Sequence, residues 1–378
     1  MEKRKIYFII DTMGVGGAET QLLRIIPHLQ KLDWEIQLVT LKEKNEFKAE
    51  LDSMRVPFRS LGFSGRLSTT LNQMRILASE INREAGNKRV VIHSHIVSSN
   101  LFSRFLTLFL KKEIILVNTI HNTNEGANWR YWLYKATRNR AHYVSAMSRA
   151  ALDVHKKRKS SREDRLHLVY NGIDLSLFRY DEKVRERMRH EFALQDAFVW
   201  LAVGNLSPQK NFVNLLRAWK LAQKEEGIDA RLYIVGEGVE KNMLEETIDE
   251  YGLKEDVRLL GRRNDVQDLM SMADGYVMSS DWEGFPMVLL AAAASELPIV
   301  ATDVGGNSEI VLDGKNGYIC PPKKPEALVQ SMQKLMKKPS DTLRSMGRAG
   351  RFHVSNNFSV ESIAAQWDDI YRTLIESK

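Results

Sequence analysis

Short apolar stretches that run into a glycine-rich or polar loop, and then into a helical pattern, recur along the whole chain. The first is residues 6–10, which precede a loop containing Gly14, Gly16 and Gly17 and then an amphipathic pattern. Alternation of strands with helices predicts parallel sheets covered by helices on both faces, with ligands beyond the carboxyl ends of the strands. The further predicted strands are residues 34–41, 90–93, 114–117, 143–148, 198–203, 231–235, 257–260, 275–278 and 298–302.

The pattern starts afresh at residue 198, and a charged stretch at residues 181–191 separates its two halves. A chain of 378 residues is also longer than one hydrophobic core ordinarily supports. We therefore predict an α/β protein with two doubly wound, Rossmann-like domains. The first comprises residues 1–180 and the second comprises residues 181–357. Residues from 358 to the end carry the spacing of an amphipathic helix.

Residues 281–290 join an acid, a flexible turn and a helix start. Gly284 permits backbone angles that other residues avoid, and Pro286 suits the first position of a helix. The first turn of a helix presents free N–H groups and a partial positive charge, which favour a phosphate. Glu283 would then accept hydrogen bonds from sugar hydroxyls. The stretch predicts a ligand site, although a buried helix with an acidic first turn would have the same sequence.

Positive charge is concentrated in the first half of the chain. Residues 1–180 carry a net charge of +13 and the remaining residues carry −6, which gives +7 overall. Residues 156–159 are all basic, and an aromatic cluster is followed closely by Lys135, Arg138 and Arg140. The cluster comprises Trp129, Tyr131, Trp132 and Tyr134. This combination is compatible with a nucleic acid, with an anionic membrane surface, or with ordinary solvated helix faces.

Several classes of protein do not fit this composition. No stretch approaches the roughly 20 apolar residues that a membrane-spanning helix needs. The start is basic and then apolar like a signal peptide, but Asp11 ends its apolar part after five residues, which favours a first strand. Cys320 is the single cysteine, so an internal disulfide is excluded, and a reducing cytoplasm is expected.

Two polar side chains follow predicted strands and are candidate site residues. His121 lies just after the strand that begins at residue 114. Lys210 lies after the strand 198–203 and near the start of the next helix, where it is suited to pair with a phosphate. A structural histidine and an exposed lysine are the alternatives. Three other histidines compete with His121 for a role: His93, His95 and His142.

These segments, in this order, resemble the retaining glycosyltransferases of family 4. Such enzymes have the GT-B fold, in which two Rossmann-like domains face each other across a cleft. The resemblance covers nearly the whole chain. It is carried by residues 14–19, His121-Asn122, residues 171–174 with Phe178, residues 204–211, and Glu283-Gly284-Phe285-Pro286. In the family the last helix crosses back onto the first domain, so residues 358–378 are expected to complete that domain.

The resemblance implies how the donor would be held. Gly16 and Gly17 would let the backbone approach the donor diphosphate or the acceptor. Lys210 would neutralise the diphosphate, while Glu237 and Arg262 would lie near the nucleoside.

The resemblance also implies roles at the donor sugar. Glu283, with the turn Gly284-Phe285-Pro286, would hold that sugar. His121 would contact the sugar or the region of the departing phosphate. Such enzymes need no divalent metal, and we expect no metal or other cofactor besides the nucleotide-sugar substrate.

Two positions depart from the pattern of the family. Asn205 stands where arginine is common, so the diphosphate would rely on Lys210 or on a further group such as Arg262 or Arg263. Ala291 stands where the second glutamate of the motif would contact the ribose hydroxyls. Loss of a charge-assisted hydrogen bond costs about 1.5–3 kcal/mol. Ala291 is therefore interpreted as an inactivating substitution of a natural glutamate, or as a natural variant with weaker donor binding.

The sequence thus predicts a retaining glycosyltransferase that moves a hexose or N-acetylhexosamine from a UDP-sugar to a saccharide acceptor. UDP is favoured over GDP by its frequency in the family. The basic, aromatic first half favours an anionic acceptor, with a polyprenyl-diphosphate-linked saccharide as the first choice. The expected pathway is assembly of a surface polysaccharide such as lipopolysaccharide, or of a glycan. The expected location is cytoplasmic, peripheral on the inner face of the membrane.

Three other functions remain open at this point. Ala291 favours a nucleotide-sugar-binding protein without transferase activity. A dinucleotide-dependent oxidoreductase would use a G-x-G-x-x-G loop, but Glu19 occupies the last position of that pattern. Nucleic acid is not an expected partner, because the chain contains no recognised nucleic-acid-binding module.

Overall fold

The computed structural model describes residues 4–63, 67–111, 113–194, 196–222 and 229–377. Three stretches with sequence-based predictions lie outside this part. They are residues 1–3 of the basic start, Lys112 at the basic end of residues 101–112, and Lys378 at the end of the predicted last helix. Contacts divide the chain into two compact units. We call residues up to Gly172, together with those from Val360 onward, the first domain, and Ile173–Ser359 the second domain. The predicted boundaries were 180/181 and 357/358.

The first domain is built on a seven-stranded parallel sheet with strand order β3-β2-β1-β4-β5-β6-β7. Its strands are β1 (Arg4–Ile10), β2 (Trp34–Thr40), β3 (Phe58–Ser60), β4 (Arg89–His95), β5 (Ile115–Ile120), β6 (Tyr143–Ala146) and β7 (Leu166–Leu168). Its helices are α1 (Gly17–Lys31), α2 (Lys48–Ser53), α3 (Leu67–Glu84), α4 (Val97–Leu106), α5 (Asn128–Ala136), α6 (Arg149–Lys157) and, at the end of the chain, α15 (Val360–Glu376). The strand order reverses direction between β1 and β4.

The second domain repeats this plan with six parallel strands in the order β10-β9-β8-β11-β12-β13. The strands are β8 (Phe198–Val203), β9 (Ala230–Val235), β10 (Val257–Leu259), β11 (Gly275–Met278), β12 (Ile299–Thr302) and β13 (Gly317–Cys320). The helices are α7 (Glu182–Glu191), α8 (Phe212–Ala222), α9 (Lys241–Tyr251), α10 (Val266–Met272), α11 (Met287–Ala294), α12 (Asn307–Ile310), α13 (Pro325–Met336) and α14 (Ser340–Phe358). The order reverses between β8 and β11, which is the feature of a doubly wound sheet that creates a ligand crevice.

The last helix completes the first domain, as the family resemblance implied. α15 buries Ile363, Ala364, Trp367 and Tyr371 in the same core as the inner residues of α1. The chain re-enters this domain beside Gly172, where an added Cβ would lie 2.6 Å from the Cα of Val360. The close approach requires glycine at that crossing point.

One predicted helix is shorter than its sequence pattern. The apolar residues 101–110 and the basic pair that follows them favour a helix over residues 101–112, of which Lys112 lies outside the described part, but α4 ends at Leu106. The Asn82 side chain accepts a hydrogen bond from the N–H of Lys111 and donates one to the carbonyl of Phe109, both at 2.8 Å. These bonds satisfy backbone groups outside a helix and hold the segment in turns. Among the described residues, no helix is long and apolar enough to span a membrane.

Candidate functional site

Five loops follow β8, β9, β10, β11 and β12 at the carboxyl edge of the second sheet, and their backbones are hydrogen-bonded to one another. The N–H of Gly236 donates to the carbonyl of Gly261 at 2.9 Å, and the N–H of Gly306 donates to that of Gly284 at 2.8 Å. An added Cβ on Gly236 would lie 1.9 Å from the carbonyl oxygen of Gly204. Glycine is therefore needed here for packing of loop against loop, and the loops form a fixed cluster at the edge where ligands bind.

Lys210 and Glu283 form an ion pair within this cluster. The Nζ of Lys210 lies 2.6 Å from the Oε1 of Glu283, and Gln209 donates from its amide to the other carboxylate oxygen at 3.3 Å. Glu283 is only 5% exposed, and 17% of the Lys210 side chain is exposed. The sequence assigned these two residues to different parts of the donor. The structure brings them together, so each fixes the position of the other.

Further bonds join the loop after β8 to the loop after β11. Asn211 donates from its side-chain amide to the carboxylate of Asp281 at 2.7 Å, and the N–H of Asp281 donates to the carbonyl of Gln209 at 2.8 Å. Asn211 also accepts from the N–H of Asn214 in the first turn of α8. Gln209 and Asn211 were not identified as site residues from the sequence, and Asp281 was included only as the first residue of the predicted ligand stretch. Their position directly beyond predicted strands was the signal available for finding them.

The predicted helix after Glu283 is confirmed, with a small shift. α11 begins at Met287, and Pro286 is the N-cap rather than the first helical residue. Phe285 is buried, and its ring packs against that of Phe358 at 5.2 Å. The start of α11 is thus fixed by packing immediately beyond the Glu283 carboxylate. Its first-turn N–H groups and helix dipole favour an anion there.

Ala291 lies in the middle of α11 and is 4% exposed. Side chains on a helix lean toward its N-terminus and lie above the residues three and four positions earlier. For position 291 these are Val288 and Met287, which are half-buried. A longer side chain at position 291 would therefore extend toward the beginning of α11.

The other predicted donor residues lie on the loops of the same edge. Asn205, Glu237 and Arg262 are exposed, and Lys241 pairs with Glu237 at 3.3 Å. Arg263, the alternative to Arg262, is held by Asp265, whose carboxylate accepts from its Nε at 2.8 Å. Arg263 is therefore already engaged in an ion pair with a neighbouring carboxylate.

In the first domain, Gly16 and Gly17 form the junction between the loop after β1 and helix α1. Gly16 is the N-cap of α1, and Gly17 is its first residue. An added Cβ on Gly16 would lie 2.5 Å from the Oε2 of Glu19. Glu19 is buried, and its burial raises the pKa of the carboxyl. The absence of a side chain at Gly16 therefore leaves space for this carboxylate at the edge of the sheet.

His121 follows β5 and is half-buried, and it forms a cluster with the buried side chains of His93 and His95. Its Nε2 lies 2.9 Å from the Nδ1 of His95, and the ring of His95 lies 4.2 Å from that of His93. His93 bonds through one nitrogen to the hydroxyl of Tyr371 at 2.6 Å and through the other to Thr119 at 2.7 Å. Burial lowers the pKa of His121 to about 3 and holds the pKa of His93 and His95 well below the usual range. All three rings are therefore neutral at physiological pH.

The histidine cluster gives His121 a hydrogen-bond partner that is itself buried. His93 is clamped between β5 and α15, and His95 packs on it and bonds to His121. The sequence offered His93, His95 and His142 as alternatives to His121; the structure joins His93 and His95 to it in one cluster, whereas His142 accepts a hydrogen bond from the N–H of Leu116. Within the described residues, no group of three or more His, Cys, Asp or Glu side chains is arranged to hold a metal ion.

Two Rossmann-like α/β domains, each built on a parallel sheet, are the fold of the GT-B glycosyltransferases. The family model described as Glycosyltransferase Family 4 matches residues 15–177, and the one described as Glycosyl transferases group 1 matches residues 184–353. The chain belongs to the family-4 glycosyltransferases.

Individual relatives agree with this assignment. The N-acetyl-alpha-D-glucosaminyl L-malate synthase of Bacillus anthracis is 25% identical over 303 residues, 78% of each chain. The N-acetylgalactosamine-N,N'-diacetylbacillosaminyl-diphospho-undecaprenol 4-alpha-N-acetylgalactosaminyltransferase of Campylobacter jejuni is 26% identical over 369 residues, 90% of this chain and 92% of that one. The crystal structure of Anabaena HepE in complex with UDP superposes with a TM-score of 0.85 at 22% identity, covering 98% of this chain and 100% of the other.

Proposed function

We propose that this glycosyltransferase moves a hexose or N-acetylhexosamine from a UDP-sugar to a polyprenyl-diphosphate-linked saccharide, with retention of the anomeric configuration. The observation that carries the proposal is the Lys210–Glu283 pair before helix α11, at the carboxyl edge of the second sheet. It combines a cation and a helix N-terminus, which suit a diphosphate, with a carboxylate, which suits sugar hydroxyls. The UDP complex of HepE supports UDP as the nucleotide. The Campylobacter relative, named for a diphospho-undecaprenol-linked substrate, supports the acceptor class.

In the proposed reaction the bond between the anomeric carbon and the diphosphate oxygen breaks while the acceptor hydroxyl attacks from the same face. The acceptor proton passes to the departing diphosphate. Lys210 and the N-terminus of α11 stabilise the charge that develops on the diphosphate. Glu283 holds the sugar hydroxyls, and His121, neutral and fixed by His95, donates a hydrogen bond to the sugar or the phosphate. No step requires a metal ion.

Donor binding has to redistribute the charges of the site. Lys210 is neutralised by Glu283 in this structure, and a diphosphate competes for the ammonium group. The pairing of Lys210 with Glu283 lowers the net gain from the new contact, because one charge-assisted hydrogen bond replaces another. Asn205 lies on the same loop as Lys210, and Arg262 lies on the loop after β10. Both are proposed as the further diphosphate and nucleoside contacts, together with Glu237.

Ala291 is proposed to weaken binding of the nucleoside. The side chain of a glutamate at position 291 would extend toward the start of α11, whereas the alanine methyl group can form no hydrogen bond with ribose. A nucleotide-sugar-binding protein without transferase activity is the second candidate function, and Ala291 is the observation that favours it.

The test is a transfer assay in which the purified chain is incubated with a panel of UDP-sugars and polyprenyl-diphosphate-linked mono- and disaccharides, with and without EDTA. We expect transfer from at least one UDP-sugar in both conditions, and NMR coupling constants of the product that show the donor's anomeric configuration. An inverted product would contradict retention. Binding without turnover, in this chain and in an Ala291→Glu variant, would favour the second candidate.

A further inference from the structure

Helix α5 presents two tryptophans to solvent and buries two tyrosines on its inner side. Trp129 is 56% exposed and Trp132 is 67% exposed. They are three residues apart and therefore lie on the same face of the helix. The opposite face is buried through Tyr131 and Tyr134, which are 6% and 0% exposed. The alternation of buried tyrosines with exposed tryptophans gives this helix one face in the core and one aromatic face in solvent.

Buried hydrogen bonds hold α5 from its inner side. Arg104, which is fully buried, donates to the carbonyl of Tyr134 at 2.9 Å, and Asn100 donates to the hydroxyl of Tyr134 at 3.1 Å. The hydroxyl of Tyr131 accepts from the N–H of Glu125 at 2.9 Å. The exposed tryptophans therefore extend from a rigid support, and their exposure does not result from a frayed helix.

The basic run of the sequence lies next to this helix in the fold. The guanidinium of Arg158 stacks on the ring of Tyr131 at 3.9 Å and donates to the side chain of Asn128 at 3.1 Å. Its neighbours Lys156, Lys157 and Lys159 are exposed, as are Lys135, Arg138 and Arg140 after the tryptophans. Residues 128–165 carry a net charge of +8. Two amphipathic aromatic side chains thus lie within a strongly positive surface.

We infer that the outer face of α5, with the basic end of α6, docks on an anionic phospholipid surface. Tryptophan is favoured at the boundary between lipid headgroups and acyl chains, and clustered lysine and arginine are attracted to anionic headgroups. The inference deepens the proposed function, on which it rests, because a polyprenyl-linked acceptor lies in a membrane. The loop 121–127 joins His121 directly to α5, so docking would bring the acceptor toward the residue proposed to contact the donor sugar.

Co-sedimentation with vesicles that contain no lipid-linked acceptor tests this surface. We expect the chain to bind phosphatidylglycerol-containing vesicles, to bind pure phosphatidylcholine vesicles weakly, and to be released by salt. A Trp129→Ser/Trp132→Ser variant should bind at least about tenfold more weakly, because two apolar side chains no longer enter the interface. Phe352→Ser is the matched control, since Phe352 is 71% exposed but lies in the second domain, and it should bind like the unmodified chain.

Equal binding of the tryptophan variant and the unmodified chain would overturn the inference. Tighter binding of single-stranded RNA than of anionic vesicles at the same salt, lost in the same variant, would also overturn it in favour of a nucleic acid. Failure of the proposed function has a different signature, namely normal vesicle binding without transfer from any UDP-sugar. If both proposals hold, the tryptophan variant retains transfer to a short-chain acceptor in detergent and loses transfer to an acceptor in vesicles.

A separate observation concerns His95, whose Nε2 is buried without a hydrogen-bond partner among the described residues. Its Nδ1 bonds to His121, so one of these two nitrogens must carry the shared proton. An unpaired buried N–H is rarer in proteins than an unpaired acceptor, which favours the proton on the Nδ1 of His95. The geometry points to His95 as a positioning residue that donates to the Nε2 of His121 and leaves the His121 proton on Nδ1. His121 then presents a donor rather than a base.

Nitrogen-15 NMR of the histidine side chains measures this tautomer without any activity. We expect His121 to carry its proton on Nδ1, and His95→Leu to shift it toward the Nε2–H form, while His95→Asn, which can donate from nearly the same position, restores it. His353→Asn, in the second domain, is the control and should leave the signal of His121 unchanged. An Nε2–H form of His121 in the unmodified chain would overturn the inference. If the proposed function also holds, His95→Leu lowers kcat about tenfold or more with little change in donor KM.

Discussion

Replacing Lys210 with methionine tests whether the buried ion pair holds the loop cluster together. Methionine keeps much of the volume of the lysine stem but removes its charge. The carboxylate of Glu283 would remain 5% exposed, without the ammonium group that lies 2.6 Å away. Removing one partner of a buried ion pair typically costs about 3–5 kcal/mol, because the other charge stays buried. Since Lys210 is itself partly exposed, we expect the lower end of that range, about 3 kcal/mol.

The assay is urea unfolding followed by tryptophan fluorescence, for which Trp200 and Trp219 are buried reporters in the core of the second domain. Lys254→Met is the matched control, since Lys254 pairs with Asp249 at 2.8 Å on an exposed surface. Such pairs contribute about 0–1 kcal/mol. The Lys210→Met/Glu283→Gln variant should recover most of the loss, because no charge is left buried. If Lys210→Met were no less stable than Lys254→Met, the pair would not be holding these loops.

Three further predictions follow from other parts of the fold. Gly305→Ala should lower the free energy of unfolding clearly more than Gly314→Ala does. Both glycines have positive φ, but only at Gly305 would the new Cβ meet a neighbour, the carbonyl oxygen of Glu283 at 2.2 Å. Urea unfolding of the two variants measures the difference. The free energy of unfolding should fall as the pH is lowered from 7 to 5. Burial lowers the pKa of His121 and His155 to about 3 in the folded chain, so below about pH 6.5 the unfolded chain binds more protons than the folded one. Each histidine then lowers the free energy of unfolding by about 1.4 kcal/mol per pH unit. Glu125 acts in the opposite direction, because burial raises the pKa of its carboxyl to about 7 and the folded chain then holds this proton as pH rises from about 4.5. A free energy of unfolding that did not change with pH would contradict the dominance of the histidines. His155→Leu should reduce the slope. The rate of sugar transfer should be the same with and without EDTA. If EDTA abolished transfer and added Mg²⁺ or Mn²⁺ restored it, the proposed use of Lys210 and α11 to stabilise the diphosphate would be contradicted.

The strands that carry the site were predictable because each is a compact apolar run followed by glycine or a polar loop. β8 and β11 have the bounds that the sequence predicted, Phe198–Val203 and Gly275–Met278. β3 and β7 were missed, since strands of three residues at or near the edge of a sheet show no periodicity. β13, Gly317–Cys320, was missed as well, because Gly317 weakens a strand pattern although its contact with Ile299 requires glycine.

The candidate site was predictable only in part. Position beyond a strand identified His121 and Lys210, and the turn with a helix start after it identified Glu283, since these arguments need only local sequence and chain order. The pairing of Lys210 with Glu283 joins residues far apart in the sequence, and it depends on the register of two loops that no local pattern specifies. The same limit applies to Arg158 against Tyr131, and to His95 against His121. Such contacts are set by the packing of neighbouring strands and helices, so they can be identified from the folded structure but not from the sequence pattern.

Calorimetric titration of UDP, without metal, into this chain and into its Ala291→Glu variant tests the central claim most directly. A UDP-dependent donor site predicts that UDP binds both proteins and binds the glutamate variant about ten- to a hundredfold more tightly, through the restored contact with ribose. If UDP bound neither protein, the assignment of the second domain as a UDP-sugar site would be contradicted.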